Sequence, residues 1–141
     1  MDCEGRSMTA IPASIAPARR VIEILLPWPS RDLHPNARVH YMRKSKASKS
    51  ARHTGKIKAL ECNWSLMKLP EGRLHLWIDF YPPDKRRRDD DGLLASFKPY
   101  RDGIADALKI DDNRFVSHPY VKDEVRKGGE VRIRITGRPT P

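Results

Sequence analysis

Residues 74–112 read LHLWIDFYPPDKRRRDDDGLLASFKPYRDGIADALKIDD, and the hydrophobic period changes once inside them. Up to Tyr81 the apolar side chains alternate. Leu74, Leu76, Ile78 and Phe80 fall on one side and His75, Trp77, Asp79 and Tyr81 on the other, the two-residue period of a strand. A strand is therefore predicted over Arg73 to Tyr81, ended by Pro82-Pro83. From about Asp90 to Leu108 the period lengthens. At about 100° per residue, Leu93, Phe97, Tyr100, Ile104 and Leu108 form one stripe, the buried face of a helix. Pro99 removes a backbone bond to Ala95 and disfavours helical geometry at Lys98, which predicts a kink or break there.

Between strand and helix, the cations Lys85, Arg86, Arg87 and Arg88 run straight into Asp89, Asp90 and Asp91, and a second acidic pair, Asp111 and Asp112, follows the helix. Adjacent carboxylates raise one another's pKa unless a cation sits among them, and hard oxygen ligands suit Mg²⁺ or Mn²⁺. In an extended lead-in to the helix, Asp89 and Asp91 would share a side while Asp90 faces away. The arginines beside them are placed to hold the phosphates on which such a metal acts. Asp91 and Lys98 nearly share a helix meridian, and lysines lean toward a helix N-terminus, which would carry the Lys98 ammonium toward the carboxylates. The plainer role of an aspartate here is to cap the helix and complement its dipole. Three in a row exceed what one cap needs.

Outward from this stretch, 141 residues with 38% hydrophobic content bound the chain to one domain. A net charge of +10 makes a polyanion the natural partner, nucleic acid first and an acidic membrane surface second. No apolar run reaches the length of a membrane span and no signal-peptide pattern opens the chain, so a soluble cytoplasmic protein is expected. Cys3 and Cys62 give neither a disulfide framework nor zinc spacing and are expected as free thiols. His34, His40, His53, His75 and His118 show no metal spacing and read as surface or packing residues.

Residues 1–19, rich in Ala, Pro and Ser, read as a flexible leader. Arg20 to Leu26 follows as a short strand with Ile22, Ile24 and Leu26 inward, stopped at Pro27-Trp28-Pro29. Ser30 to about Ser45 reads as a loop, and Lys46 to Met67 as a helix with Ile57, Leu60 and Trp64 on its apolar face, weakened by Gly55. Between Leu33 and Leu60 stand eight Lys or Arg and no carboxylate, with Tyr41 and histidines interleaved. Arg38, Arg43, Lys44 and Lys46 from this stretch join Lys85, Arg86, Arg87 and Arg88 as candidate contacts to a phosphate backbone. Val116 to Val125 is strand-like, and Pro119 argues for an edge or a bulge. Lys127-Gly128-Gly129-Glu130 signals a hairpin. Val131, Ile133 and Ile135 mark a last strand, and residues 138–141 read as a loose end. Together these elements predict an α+β domain over residues 20–137, a small mixed or antiparallel sheet of about four strands packed against two main helices.

Five motifs now stand together: LPWP at Leu26 to Pro29, PDKRRRDDDGL at Pro83 to Leu93, DGIADAL at Asp102 to Leu108, IDD at Ile110 to Asp112, and the KGG turn. In these, from about Val21 to Thr136, the chain resembles the RusA family of Holliday-junction resolvases of bacteria and their phages. The resemblance implies a homodimeric α+β endonuclease that cuts four-way DNA junctions symmetrically with Mg²⁺, Mn²⁺ substituting. It puts the family's metal-site carboxylates at Asp89, Asp91 and Asp112. The family's essential lysine falls at Ala95, a departure for which Lys98, on the same helix face, is the substitute candidate. Gly92 stands where the family usually has Asn. No small-molecule cofactor and no membrane partner are implied. Two other classes fit the same residues: a basic nucleic-acid-binding module whose aspartates only cap a helix, and a metal nuclease cutting flaps or duplex ends; a third, a membrane-surface binder, is disfavoured because no long basic amphipathic helix with a bulky apolar face is read.

Overall fold

The computed structural model describes residues 23–137. The predicted leader, Ile22 and residues 138–141 lie outside the described residues. The alternating segment forms β2 (Leu74–Tyr81), an inner strand of a four-stranded sheet ordered β1-β4-β2-β3, with β1 at Glu23–Pro27, β3 at Phe115–Val121 and β4 at Glu130–Thr136. The two main helices are α1 (Tyr41–Glu61) and α2 (Asp90–Leu108). This is the α+β arrangement expected, and the sheet is mixed.

β2 and β3 run parallel, with Leu74 opposite Phe115 and Phe80 opposite Val121. α2 is the crossover that parallel strands require. β4 lies antiparallel between β1 and β2. The KGG turn therefore joins strands that are not neighbours, and the predicted hairpin is corrected. Gly128 and Gly129 hold φ of +79° and +77°, and a Cβ on Gly129 would sit 2.8 Å from the Trp28 side chain. The glycines let the chain turn beneath Trp28 and swing to the far side of β2. Pro119 lies on edge strand β3, where its missing N–H costs no ladder bond.

The predicted inner side of β2 is sealed: Leu74, Leu76, Ile78 and Phe80 are fully buried, with Ile24, Leu26, Val131 and Ile133 from β1 and β4. Against them lie Leu93, Phe97, Tyr100 and Ile104 of α2, the stripe read from the sequence except for its last member, Leu108, which is only partly buried. Trp77, Asp79 and Tyr81, on the opposite side, are also buried, although no described helix covers them. Side chains of β3 and β4 lie across them instead. Arg132 Nη2 donates to Asp79 Oδ2 at 2.8 Å, Trp77 Nε1 donates to Thr136 Oγ1 at 2.8 Å, and the His118 ring stacks on Trp77 at 4.1 Å.

Four local expectations change. α1 begins at Tyr41, within the stretch read as a loop, because His40 caps it by accepting the Met42 N–H on Nδ1 at 3.2 Å. Its buried positions are Ala51, Gly55 and Ala59, while Ile57 and Leu60 are exposed. A Cβ on Gly55 would collide with the Tyr100 backbone, and one on Gly103 with that of Arg52. Gly55 and Gly103 therefore mark the close approach of the two helices, whereas bulk alone had suggested the other face of α1. α2 runs unbroken through Pro99, whose unpaired partner carbonyl belongs to exposed Ala95 and can be hydrated. Cys62 is held in a disulfide, against the expectation of a free thiol; the other cysteine, Cys3, lies outside the described residues. No described helix is long and apolar enough to cross a membrane.

Candidate metal and nucleic-acid site

β2 delivers the chain at Pro82-Pro83 into an irregular segment that ends at α2. Asp84 organises it. Its carboxylate accepts the Arg86 N–H at 2.9 Å and Arg88 Nη2 at 2.8 Å, and these bonds hold its pKa below the usual carboxylate range. Arg88 also donates to the carbonyls of Asp84 and Arg86 and lies 5.4 Å over the Trp28 ring. Of the arginines predicted to take phosphates, Arg88 is thus spent on the loop itself. The Arg86 guanidinium is exposed and among the described residues pairs with Asp84 alone, and Lys85 and Arg87 form no ion pair with a described residue.

Asp89 is the N-cap of α2, with extended backbone, and its Oδ1 accepts the Asp91 N–H at 3.3 Å. The capping role is therefore real. Among the described residues, it leaves the second Asp89 oxygen without a partner, together with all four of Asp90 and Asp91. Asp90 does not face away. Helical geometry starts at Asp90, so the extended alternation stops one residue early, and one oxygen from each of Asp89, Asp90 and Asp91 lies within 4.8 Å of the other two. All three are exposed and none pairs with a described cation.

Asp112 is not in that cluster. It opens a 3-10 turn, Asp112–Arg114, and its Oδ2 accepts from Lys98 Nζ at 3.4 Å and Arg101 Nη2 at 3.3 Å. Lys98 leans toward the C-terminus of α2, reaching Asp102 at 3.2 Å, because two carboxylates lie within its reach there. Arg101, which the sequence reading passed over, also donates to Ser117 Oγ of β3 at 2.9 Å. Burial pushes the Asp112 carboxyl up, but its hydrogen bonds with Asp102 and Arg101 and the Lys98 charge outweigh this and hold it low. The two clusters are linked by a shallow groove of about 280 Å³ lined by Asp91, Ala95, Lys98 and Arg101. Ala95 leaves its middle without a cation.

On the other side of Asp89 opens a larger groove, of about 910 Å³, between the 28–43 segment and residues 83–89. Arg38, Arg43, Arg86, Arg87 and Arg88 line it with Arg31 and His34. Lys44, Lys46 and Lys85 do not line it. His34 reaches α2 itself: a Cβ on Gly92 would sit 2.8 Å from His34 Nε2. Glycine at this position admits the imidazole. Arg31 and His34 carried no spacing signal, since only the chain's return past α2 brings them here.

No family model matches the chain. It is 56% identical over 134 residues to an uncharacterized protein of Xylella fastidiosa (strain Temecula1 / ATCC 700964), an alignment that spans 94% of this chain and 88% of the relative. At that identity and coverage, the chain belongs to the same family as the Xylella protein.

Proposed function

We propose that the protein is a Mg²⁺-dependent, structure-selective endodeoxyribonuclease that resolves four-way DNA junctions, acting in the cytoplasm as a homodimer. The observation that carries this reading is the position of Asp89, which belongs at once to a carboxylate trio lacking any described cation and to the wall of an arginine-lined groove. A cation-poor acidic cluster beside a phosphate-binding surface is the pairing that metal-assisted phosphodiester chemistry needs.

The donor set fits a hard divalent ion, being carboxylate oxygens alone. Asp89, Asp90 and Asp91 would hold it, and with Mg²⁺ or Mn²⁺ bound the site gains activation of water and neutralisation of phosphate charge. The chain's own residues do the rest. Arg86 and Arg87 on one wall and Arg38 and Arg43 on the other hold flanking phosphates. Asp112 fixes Lys98 and Arg101 at the far end of the smaller groove, where they meet the next phosphate or the charge that develops on the leaving oxygen. Paired cuts on opposed strands require two such sites, which a twofold dimer supplies.

The test is one gel. The protein is incubated with labelled four-way junctions or duplex of equal length, in Mg²⁺ or chelator. Symmetric cutting of the junction in Mg²⁺ alone is expected. Equal cutting of duplex would assign a broader metal nuclease. Binding without cutting in any condition would leave the aspartates as helix caps on a nucleic-acid-binding module, the role Asp89 already fills structurally.

A further inference from the structure

Two of the most exposed large apolar residues stand side by side in the most cationic part of the chain. Tyr41 is 75% exposed and Met42 63%. Scattered exposed apolar residues are ordinary, and Leu66, 76% exposed on the turn after α1, is one such case. Tyr41 and Met42 differ in their setting. They occupy the first turn of α1, between Val39 and Arg43, which both line the arginine groove. Arg38, Arg43, Lys44 and Lys46 surround them in sequence, with no carboxylate between Leu33 and Leu60. They are also held in place. His40 accepts the Met42 N–H and its ring lies against Tyr41 at 4.6 Å and 30°, so the phenol is fixed at a helix start.

A paired aromatic and thioether in a field of cations suits a partner that is anionic along its backbone and apolar on its faces. An unstacked nucleobase has that chemistry, whereas bases within a duplex keep their faces covered by stacking. We infer that Tyr41, seconded by Met42, is a stacking wedge that takes an unpaired or splayed base at a DNA branch point, giving the arginine groove its preference for branched over continuous duplex. This rests on the nucleic-acid reading above and adds to it the feature of the substrate that is recognised. The wedge supplies selectivity and is not placed in the cleavage chemistry.

The experiment measures binding in chelator, so that cleavage does not intrude, for the full chain and for Tyr41→Ala, Tyr41→Phe and Met42→Ala. Probes are a four-way junction, a matched duplex and a single strand of the same sequence, with 2-aminopurine at the crossover. Tyr41→Ala should weaken junction and single-strand binding by about tenfold, the scale of one lost stacking contact. Duplex binding should stay within about twofold. Tyr41→Phe should bind as the parent does, and the parent should quench 2-aminopurine on the junction while Tyr41→Ala does not. Loss of duplex affinity equal to that on the junction, or unchanged quenching in Tyr41→Ala, would overturn the wedge while leaving the groove intact. Failure of the parent chain to bind any of the three probes would instead remove the nucleic-acid reading, and the wedge with it.

Discussion

The two ends of α2 carry the same kind of side chain in opposite circumstances. At its start, Asp89, Asp90 and Asp91 crowd together without a described cation partner. Beyond its middle, Asp102 and Asp112 meet Lys98 and Arg101, and Asp106 meets Arg52 of α1 at 2.6 Å. Neutralised carboxylates fasten elements together. Carboxylates left to repel one another persist where they gain something only when a ligand arrives. Composition cannot separate the two, because aspartates stand near both ends of the helix.

The sharpest test of this contrast is to remove carboxylates from the open end. Asp89→Asn keeps the cap, since Asn serves about as well there. With Asp91→Asn it should lower Mg²⁺-dependent cleavage by about a thousandfold, leave junction binding in gel shifts unchanged, and leave the melting temperature unchanged or raised. A melting temperature that falls as far as activity would make the open cluster structural too. The closed end should answer in stability. Gly103→Ala, whose Cβ meets the Arg52 backbone, should cost about 1–3 kcal/mol or more by denaturant titration, with cleavage per folded molecule retained.

Asp112→Asn decides between the two ends. The resemblance assigns it to the metal, and the geometry assigns it to Lys98 and Arg101. Cleavage reduced only about tenfold, with the Mg²⁺ dependence unshifted and stability lowered by about 1 kcal/mol or less, would support the second. Loss as complete as in the Asp91 variant would restore the first. The smallest effect concerns pH. The hydrogen bond from Arg52 holds the Asp106 carboxyl below its usual range, so its stabilisation is full above the unfolded value near 4 and fades as pH falls through the folded one. Asp106→Asn should therefore melt a few degrees lower at neutral pH, within the ~1 kcal/mol of an exposed pair, and the gap should close toward pH 2 in a thermal melt series.

Much of the frame is legible in the chain. Alternation in β2 and the α2 stripe named the residues that face each other in the core, but not that Trp77, Asp79 and Tyr81 on the opposite side of β2 are buried as well. Gly55 shows where this runs out. It reads as a weakness beside the apolar spacing of Ile57, Leu60 and Trp64, yet it marks the contact, because bulk is what a close helix crossing excludes. Pro99 likewise reads as a break, and the packing of Phe97, Tyr100 and Ile104 on both sides carries the helix through. The site divides in the same way. The basic run, the triple aspartate and their placement at the end of a strand are written in consecutive residues.

The sequence by itself determined the periods, the charge and the order of the motifs, because each is a property of neighbours along the chain. Only the tertiary structure decided that Asp112 turns to Lys98 and Arg101, and that β4 enters between β1 and β2. Those outcomes depend on distances between segments far apart in sequence, which are set by how closely two helices and four strands can approach, and spacing along the chain holds no record of them.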